Sequence, residues 1–225
     1  TKRSYSLRVP YYFNIAPDRD LVVAMKYMSS RGFIYEGKYR QLIAPKITEE
    51  DEDSLFEIET RYLSDDKITN LNRWLIDTSI ELDISEKTHL SAQYYRVSDA
   101  KYFEEVARTN TNVKTLKSNF ELNYDNPSTN LEAAILTEDE QVVNAGIPVY
   151  TRALEGSISK TFNADKKLPI QVDVVSTKFA HDTPGKESGV RTHTNLGVSR
   201  VLSSKFPVIT TRANVGSTYY RLDNS

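Results

Sequence analysis

The stretch Trp74-Leu75-Ile76-Asp77-Thr78-Ser79-Ile80-Glu81-Leu82-Asp83-Ile84-Ser85 carries Trp74, Ile76, Thr78, Ile80, Leu82 and Ile84 on one parity and Asp77, Ser79, Glu81, Asp83 and Ser85 on the other. Successive side chains of a β-strand point to opposite faces, so this period of two predicts a strand with one oily and one charged face. The same alternation recurs outward from it. Phe33, Tyr35 and Tyr39 interleave with Glu36, Lys38 and Arg40; Phe56, Ile58 and Tyr62 interleave with Glu57, Glu59 and Arg61. Downstream, Leu116, Phe120, Leu122 and Tyr124 interleave with Lys117, Asn119, Glu121 and Asn123.

Further strands are expected over Ser4–Asn14, Asp20–Met28, His89–Val97, Asn130–Thr137, Val149–Thr161, Leu168–Lys178, Val190–Leu202 and Val208–Arg221. That makes roughly a dozen, many near the ~9–11 residues that cross a bilayer at a tilt. Turn signals separate them at Ala16-Pro17-Asp18, Ser29-Ser30-Arg31-Gly32, Asp125-Asn126-Pro127-Ser128 and Thr183-Pro184-Gly185. Helix is expected only as a turn or two in Asp99–Arg108, capped by Ser98 or Asp99, with Phe103, Val106 and Ala107 on one face. The expectation is a single all-β domain over residues 1–225.

Composition narrows the function. Lys and Arg number 29 against 31 Asp and Glu, and the formal net charge of -2 removes the electrostatic footprint of a general nucleic-acid binder. Hydrophobic residues make up 39%, with 14 Tyr among them, so a large buried core is not expected. There is no Cys, hence no disulfide and no thiolate metal site. His89, His181 and His193 are scattered singly, and no nucleophile elbow, catalytic triad or glycine-rich phosphate loop is visible. The reading is therefore no enzyme, no metal and no cofactor. The acidic run Glu49-Glu50-Asp51-Glu52-Asp53 reads as a solvated loop, with divalent-cation gathering as the competing role.

Two architectures satisfy the alternation: a soluble sandwich or small barrel that buries its apolar face against itself, and an outer-membrane barrel that turns it to lipid. Strand length, mid-strand charges on the second face, and Tyr and Phe near strand ends favour the membrane.

Val9-Pro10-Tyr11-Tyr12-Phe13-Asn14-Ile15-Ala16-Pro17-Asp18-Arg19-Asp20 resembles the opening of the barrel domain of the lipopolysaccharide-assembly LptD (organic solvent tolerance) family. The resemblance continues through Lys26-Tyr27-Met28-Ser29-Ser30-Arg31-Gly32, Glu36-Gly37-Lys38-Tyr39-Arg40, Arg61-Tyr62-Leu63-Ser64-Asp65-Asp66-Lys67, Arg73-Trp74, and Val97-Ser98-Asp99 with Tyr102-Phe103. Beyond these motifs the chain matches only as alternating strands, and Met25 stands where the family often has proline.

The resemblance implies a bacterial outer-membrane protein that passes lipopolysaccharide into the outer leaflet. Its partners would be lipopolysaccharide, a plug lipoprotein like LptE, and a periplasmic bridge protein met through a jelly roll that this chain lacks. The expected fold is the N-terminal half of an antiparallel transmembrane β-barrel, so the chain reads as a piece of something longer. Pro10, Tyr11, Tyr12 and Phe13 would form the weakened closing seam, since proline brings no amide hydrogen to the ladder. Glu36, Lys38, Arg40, Glu57, Glu59, Arg61, Asp77, Glu81 and Asp83 would face the lumen. A diffusion porin or other outer-membrane barrel, and a soluble β-rich binding module, are the competing functions.

Overall fold

The computed structural model describes residues 5–44, 54–107, 112–166, 168–203 and 209–223. Among these residues twelve antiparallel strands follow one another in a single sheet, each bonded to its neighbours in chain order. They are β1 (Ser6–Ala16), β2 (Arg19–Met28), β3 (Gly32–Ala44), β4 (Ser54–Leu63), β5 (Arg73–Ser85), β6 (Thr88–Val97), β7 (Thr115–Asn126), β8 (Leu131–Val142), β9 (Thr151–Phe162), β10 (Ile170–Ala180), β11 (Gly189–Ser203) and β12 (Ile209–Leu222). The order is linear, with β1 and β12 as its two ends. The chain divides into two compact units, one holding β1–β4 and most of β5 together with parts of β6, β7 and β8, the other holding the remaining parts and β9–β12.

In the first unit the register sorts side chains by face. Tyr11 lies opposite Val23, Met25 opposite Tyr35, Tyr39 opposite Ile58, and Phe56 opposite Ile80, so the apolar parities of five strands fall on one side. The other side carries the charges, with Glu36 opposite Arg61, Lys38 opposite Glu59, and Glu59 opposite Asp77. Many large hydrophobic side chains on this side are exposed, Tyr11 at 63% and Tyr35 at 52% among them, so no described residue buries that part of the oily face.

The second unit repeats the division. Val174 lies opposite Ile158, and Val172 opposite Leu196, which lies opposite Val215. On the reverse side Asp173 accepts hydrogen bonds from Ser159 Oγ (2.8 Å), Gln171 Nε2 (2.9 Å) and Asn195 Nδ2 (3.0 Å).

Strand β8 runs five residues past the expected end at Thr137, through the acidic Glu138, Asp139 and Glu140. The acids are tolerated because neighbouring strands answer them: Arg152 forks onto Glu138 at 2.7 and 2.9 Å, and Lys117 Nζ lies 3.4 Å from Glu140. The helical turn or two expected in Asp99–Arg108 is a five-residue π-helix, Phe103–Ala107. Its wider turn buries Phe103 and Val106 and leaves Ala107 half-buried. The acidic run Glu49–Asp53 lies outside the described residues.

The core is small, as the composition suggests. In the first unit Met28, Ile34, Leu63, Leu75, Val97, Leu116 and Val143 form a cluster closed by Tyr102, Phe103 and Val106.

Candidate functional site: a covered cluster at the strand ends

The β2–β3 turn reverses at Gly32, whose φ of +116° is a conformation that L side chains rarely adopt. This turn projects Arg31 toward the β4–β5 loop, where the Lys67 amide donates to the Arg31 carbonyl at 3.0 Å. In that loop Asp66 organises the backbone. Its carbonyl accepts from the Thr69 and Asn70 amides at 3.1 and 2.7 Å, and its carboxylate accepts from the Ile68 amide and the Thr69 hydroxyl, both at 3.1 Å. Asp65 and Asn70 take left-handed backbone at φ 54° and 55°, which Asp and Asn tolerate better than most residues.

Residues Ser98–Ala107, which follow β6, then fold over the cluster. Ser98 Oγ donates to Asp99 at 2.7 Å, and Asp99 accepts the Lys101 amide at 3.0 Å, starting the turn that leads into the π-helix. Tyr102 and Phe103 pack edge to face at 5.7 Å, and Phe103 meets Tyr95 edge to face at 6.3 Å. Residues Ser98–Ala107 thus make a cover whose underside is aromatic.

Charged groups hold the cover down. Arg73, at the start of β5, donates from Nε and Nη2 to the two Asp99 oxygens at 2.8 and 2.6 Å and from Nη1 to Glu105 at 2.7 Å. Arg31 pairs with Asp66 and lies 3.7 Å from Glu105, while Arg73 lies 3.6 Å from Asp66. Both arginine side chains and Asp66 are buried, whereas Asp99 and Glu105 keep 39% and 33% of their side-chain surface exposed.

An amide clasp holds the other flank. Gln141 accepts the Val97 amide at 2.9 Å and donates to the Val97 carbonyl at 2.7 Å, so its side chain imitates a strand rung. Asn144 donates from its backbone to Ala100 and from Nδ2 to Val113, both at 2.8 Å, and its own carbonyl receives Lys114 Nζ at 2.7 Å. A Cβ at Gly146 would collide with the Lys114 carbonyl, so this close approach requires glycine.

The cover has a defined pH window. Burial pushes the Tyr102 phenol up to about 12, because an ionised phenolate is disfavoured away from water. Burial also pulls Asp99 upward, but the Arg73 guanidinium, with the Ser98 hydroxyl and the Lys101 amide, outweighs it and holds the carboxyl below its usual range. A raised phenol stabilises the folded state below the unfolded value of about 10, and that contribution is lost as pH climbs toward 12. A depressed carboxyl stabilises above its unfolded value of about 3.9, and that contribution is lost only as pH falls beneath it. The urea midpoint of the full-length protein is therefore expected to show no cover-dependent change between about pH 4 and pH 10, with losses outside those limits. In a Tyr102→Phe variant the alkaline loss should shrink; an unchanged alkaline limb would assign it to other groups.

The nine charged residues singled out from the sequence share the polar face and answer one another or their neighbours. Lys38 Nζ meets Glu57 at 2.8 Å, Arg61 meets Glu59 at 2.7 Å, Arg8 meets Glu36 at 2.6 Å, Arg40 meets Asp20 at 2.6 Å, and Gln93 donates to Asp77 at 3.2 Å. Glu81 and Asp83 continue the same parity along β5, and the Asp83 amide donates to Ser54 Oγ at 3.1 Å. Pro10 is the fifth residue of β1, opposite Ala24. Tyr11 and Phe13 pack at 4.5 Å on the apolar face, while Tyr12 on the polar face lies 3.5 Å from Asp20. None of these is brought to the covered cluster except through Arg61 and Glu36, whose charges act on Tyr102.

Sequence reasoning missed Arg31, Asp66, Arg73 and Glu105 as a group, and gave Asp99 only a capping role. The available signal was their placement: Arg31, Asp66, Arg73 and Asp99 each lie in a motif piece quoted for the family resemblance, at strand ends widely separated in the chain. Among the described residues no three His, Asp or Glu side chains converge as metal ligands. His193 instead meets Thr218 at 2.8 Å, and His181 packs edge to face on Tyr150 at 4.7 Å.

The family model LptD, LPS transport system D, matches residues 71–225. An LPS-assembly protein LptD of Vibrio cholerae serotype O1 is 27% identical over 99% of this chain, which spans 28% of that relative. Those of Cupriavidus pinatubonensis and Idiomarina loihiensis are 32% and 30% identical over 48% and 62% of the chain, which covers 12% and 18% of their lengths. The family match includes the half of the chain whose motifs are least distinctive to the eye.

Proposed function

Because this chain belongs to the LPS transport system D (LptD) family, we propose that it forms part of the outer-membrane barrel through which lipopolysaccharide reaches the outer leaflet. The observation that carries the reading is the family match combined with a twelve-stranded antiparallel sheet whose two faces differ in polarity. The apolar face, from Tyr11 and Val23 across to Ile76, Ile80 and Leu82, suits hydrocarbon; the face bearing Glu36, Lys38, Arg40, Glu57, Glu59, Arg61, Asp77, Glu81 and Asp83 suits an aqueous lumen. The role is transport and assembly, not catalysis. The chain spans little more than a quarter of the Vibrio cholerae relative; in this reading further strands, a lipoprotein plug in the lumen and a periplasmic supply of lipid complete the assembly.

In this reading β1 supplies one side of a closing seam. Pro10 brings no amide hydrogen, and a net hydrogen bond is worth about 0.5–1.5 kcal/mol, enough to shift an open and a closed seam several-fold without unfolding a barrel. Pro10→Ala in the complete protein is expected to lower lipopolysaccharide export and to make cells more sensitive to bulky toxic solutes, with folding and plug binding nearly unchanged. Normal surface lipopolysaccharide in that strain, at matched protein level, would place the exit elsewhere.

A further inference from the structure

Two guanidiniums, Arg31 and Arg73, face three carboxylates, and two of the three, Asp99 and Glu105, ride on the cover. The cover's acids are a third or more exposed, while the arginines and Asp66 are buried. Lifting the cover exposes Tyr102, Phe103 and Val106, returns Asp99 and Glu105 to water, and leaves two permanently charged guanidiniums with the single carboxylate of Asp66. An uncompensated buried charge of this kind is costly until an anion supplies the missing partner.

We propose that Arg31 and Arg73 form a latent phosphate site, occupied in this state by the carboxylates of Asp99 and Glu105. The donors support a phosphate group. Arg73 directs Nε, Nη1 and Nη2 at the cover, the forked pattern that grips carboxylate and phosphate alike. Arg31 adds Nη2, which only approaches Glu105 at 3.7 Å, and a buried Nε that has no hydrogen-bond partner among the described residues. A phosphomonoester carries about -1.5 to -2 charge and three strong acceptor oxygens, so it uses these donors more fully than the carboxylates do. The cover and a phosphate thus compete for the same arginines, and binding of one loosens the other.

The test is calorimetry on the full-length protein with its natural partner subunits in zwitterionic detergent. Inorganic phosphate is titrated in one arm and micelles containing phosphatidic acid in the other. Removing the competing charges with Asp99→Asn and Glu105→Gln is expected to tighten binding by about 5–150-fold, the usual span for two coupled sites. Adding Arg31→Gln to that double variant should abolish the gain. In the unaltered protein saturating phosphate should speed tryptic cleavage after Lys101, which is exposed on the cover. A gain in both arms marks a site open to free anions, and a gain with phosphatidic acid alone marks one reached by lipid headgroups; either supports the proposal. Should the double variant not fold, the isosteric Asp99→Asn alone must still tighten binding. Equal affinity with and without the cover's acids, or a gain that survives Arg31→Gln, overturns the proposal. Since the readout is local to the cover, it is independent of whether lipopolysaccharide export is altered.

Discussion

Replacing Asp66 with alanine is expected to destabilise the full-length protein by about 3–5 kcal/mol, the range for breaking a buried ion pair from one side. Asp66 has no exposed side-chain surface and neutralises Arg31 while accepting the Ile68 amide and the Thr69 hydroxyl. Its loss strands a buried guanidinium and also removes the bonds that shape the β4–β5 loop. Asp66→Asn should cost less, because an amide keeps an acceptor for the loop while surrendering the charge. Urea titration at neutral pH measures both variants. A loss below about 1 kcal/mol for Asp66→Ala would mean that the Arg31 charge is answered by other groups.

Phe103→Ala is the second large effect, at about 3–5 kcal/mol for an aromatic removed from a packed core. Phe103 is only 1% exposed, sits at the start of the π-helix, and touches both Tyr95 and Tyr102 edge to face. The cavity falls between the cover and the cluster of Met28, Ile34, Leu63 and Leu75, so the same variant should become readily cleaved by trypsin after Lys101. Phe103→Leu, which keeps most of the volume, should restore much of the protection. Protection that is already absent in the unaltered protein would show that the aromatic underside does not hold the cover down.

These two substitutions concern residues that periodicity treats very differently. Helical spacing places Phe103, with Val106 and Ala107, on the apolar face of a helical turn. Only the width of that turn differs, and it differs because the short segment must lower Tyr102 and Phe103 onto the cluster beneath while Asp99 and Glu105 reach Arg73. Asp66, by contrast, sits in Ser64-Asp65-Asp66-Lys67, where a second acidic residue beside Asp65 looks like any solvated loop.

Strand β8 makes the same point in the opposite direction. The run Glu138-Asp139-Glu140 interrupts the alternation and predicts an end near Thr137, yet the strand continues to Val142 because Arg152 and Lys117 come alongside from other strands. A charge that repels a strand assignment when read alone supports it once its cross-strand partner is in place.

What the amino-acid sequence determined by itself is the set of strands and the division of their side chains between an apolar and a charged face. Alternation is a local property: each residue's face follows from its neighbours two positions away, and Ile80 and Glu81 are separated by nothing more than the pleat. What only the tertiary structure decided is which strand ends meet. Arg31, Asp66, Arg73, Asp99 and Glu105 come from a hairpin turn, a loop, a strand start and the cover, and no periodicity links positions so far apart in the chain. Their convergence depends on the antiparallel order, which returns alternate connections to the same end of the sheet, and on the desolvation that makes buried charges seek partners rather than water.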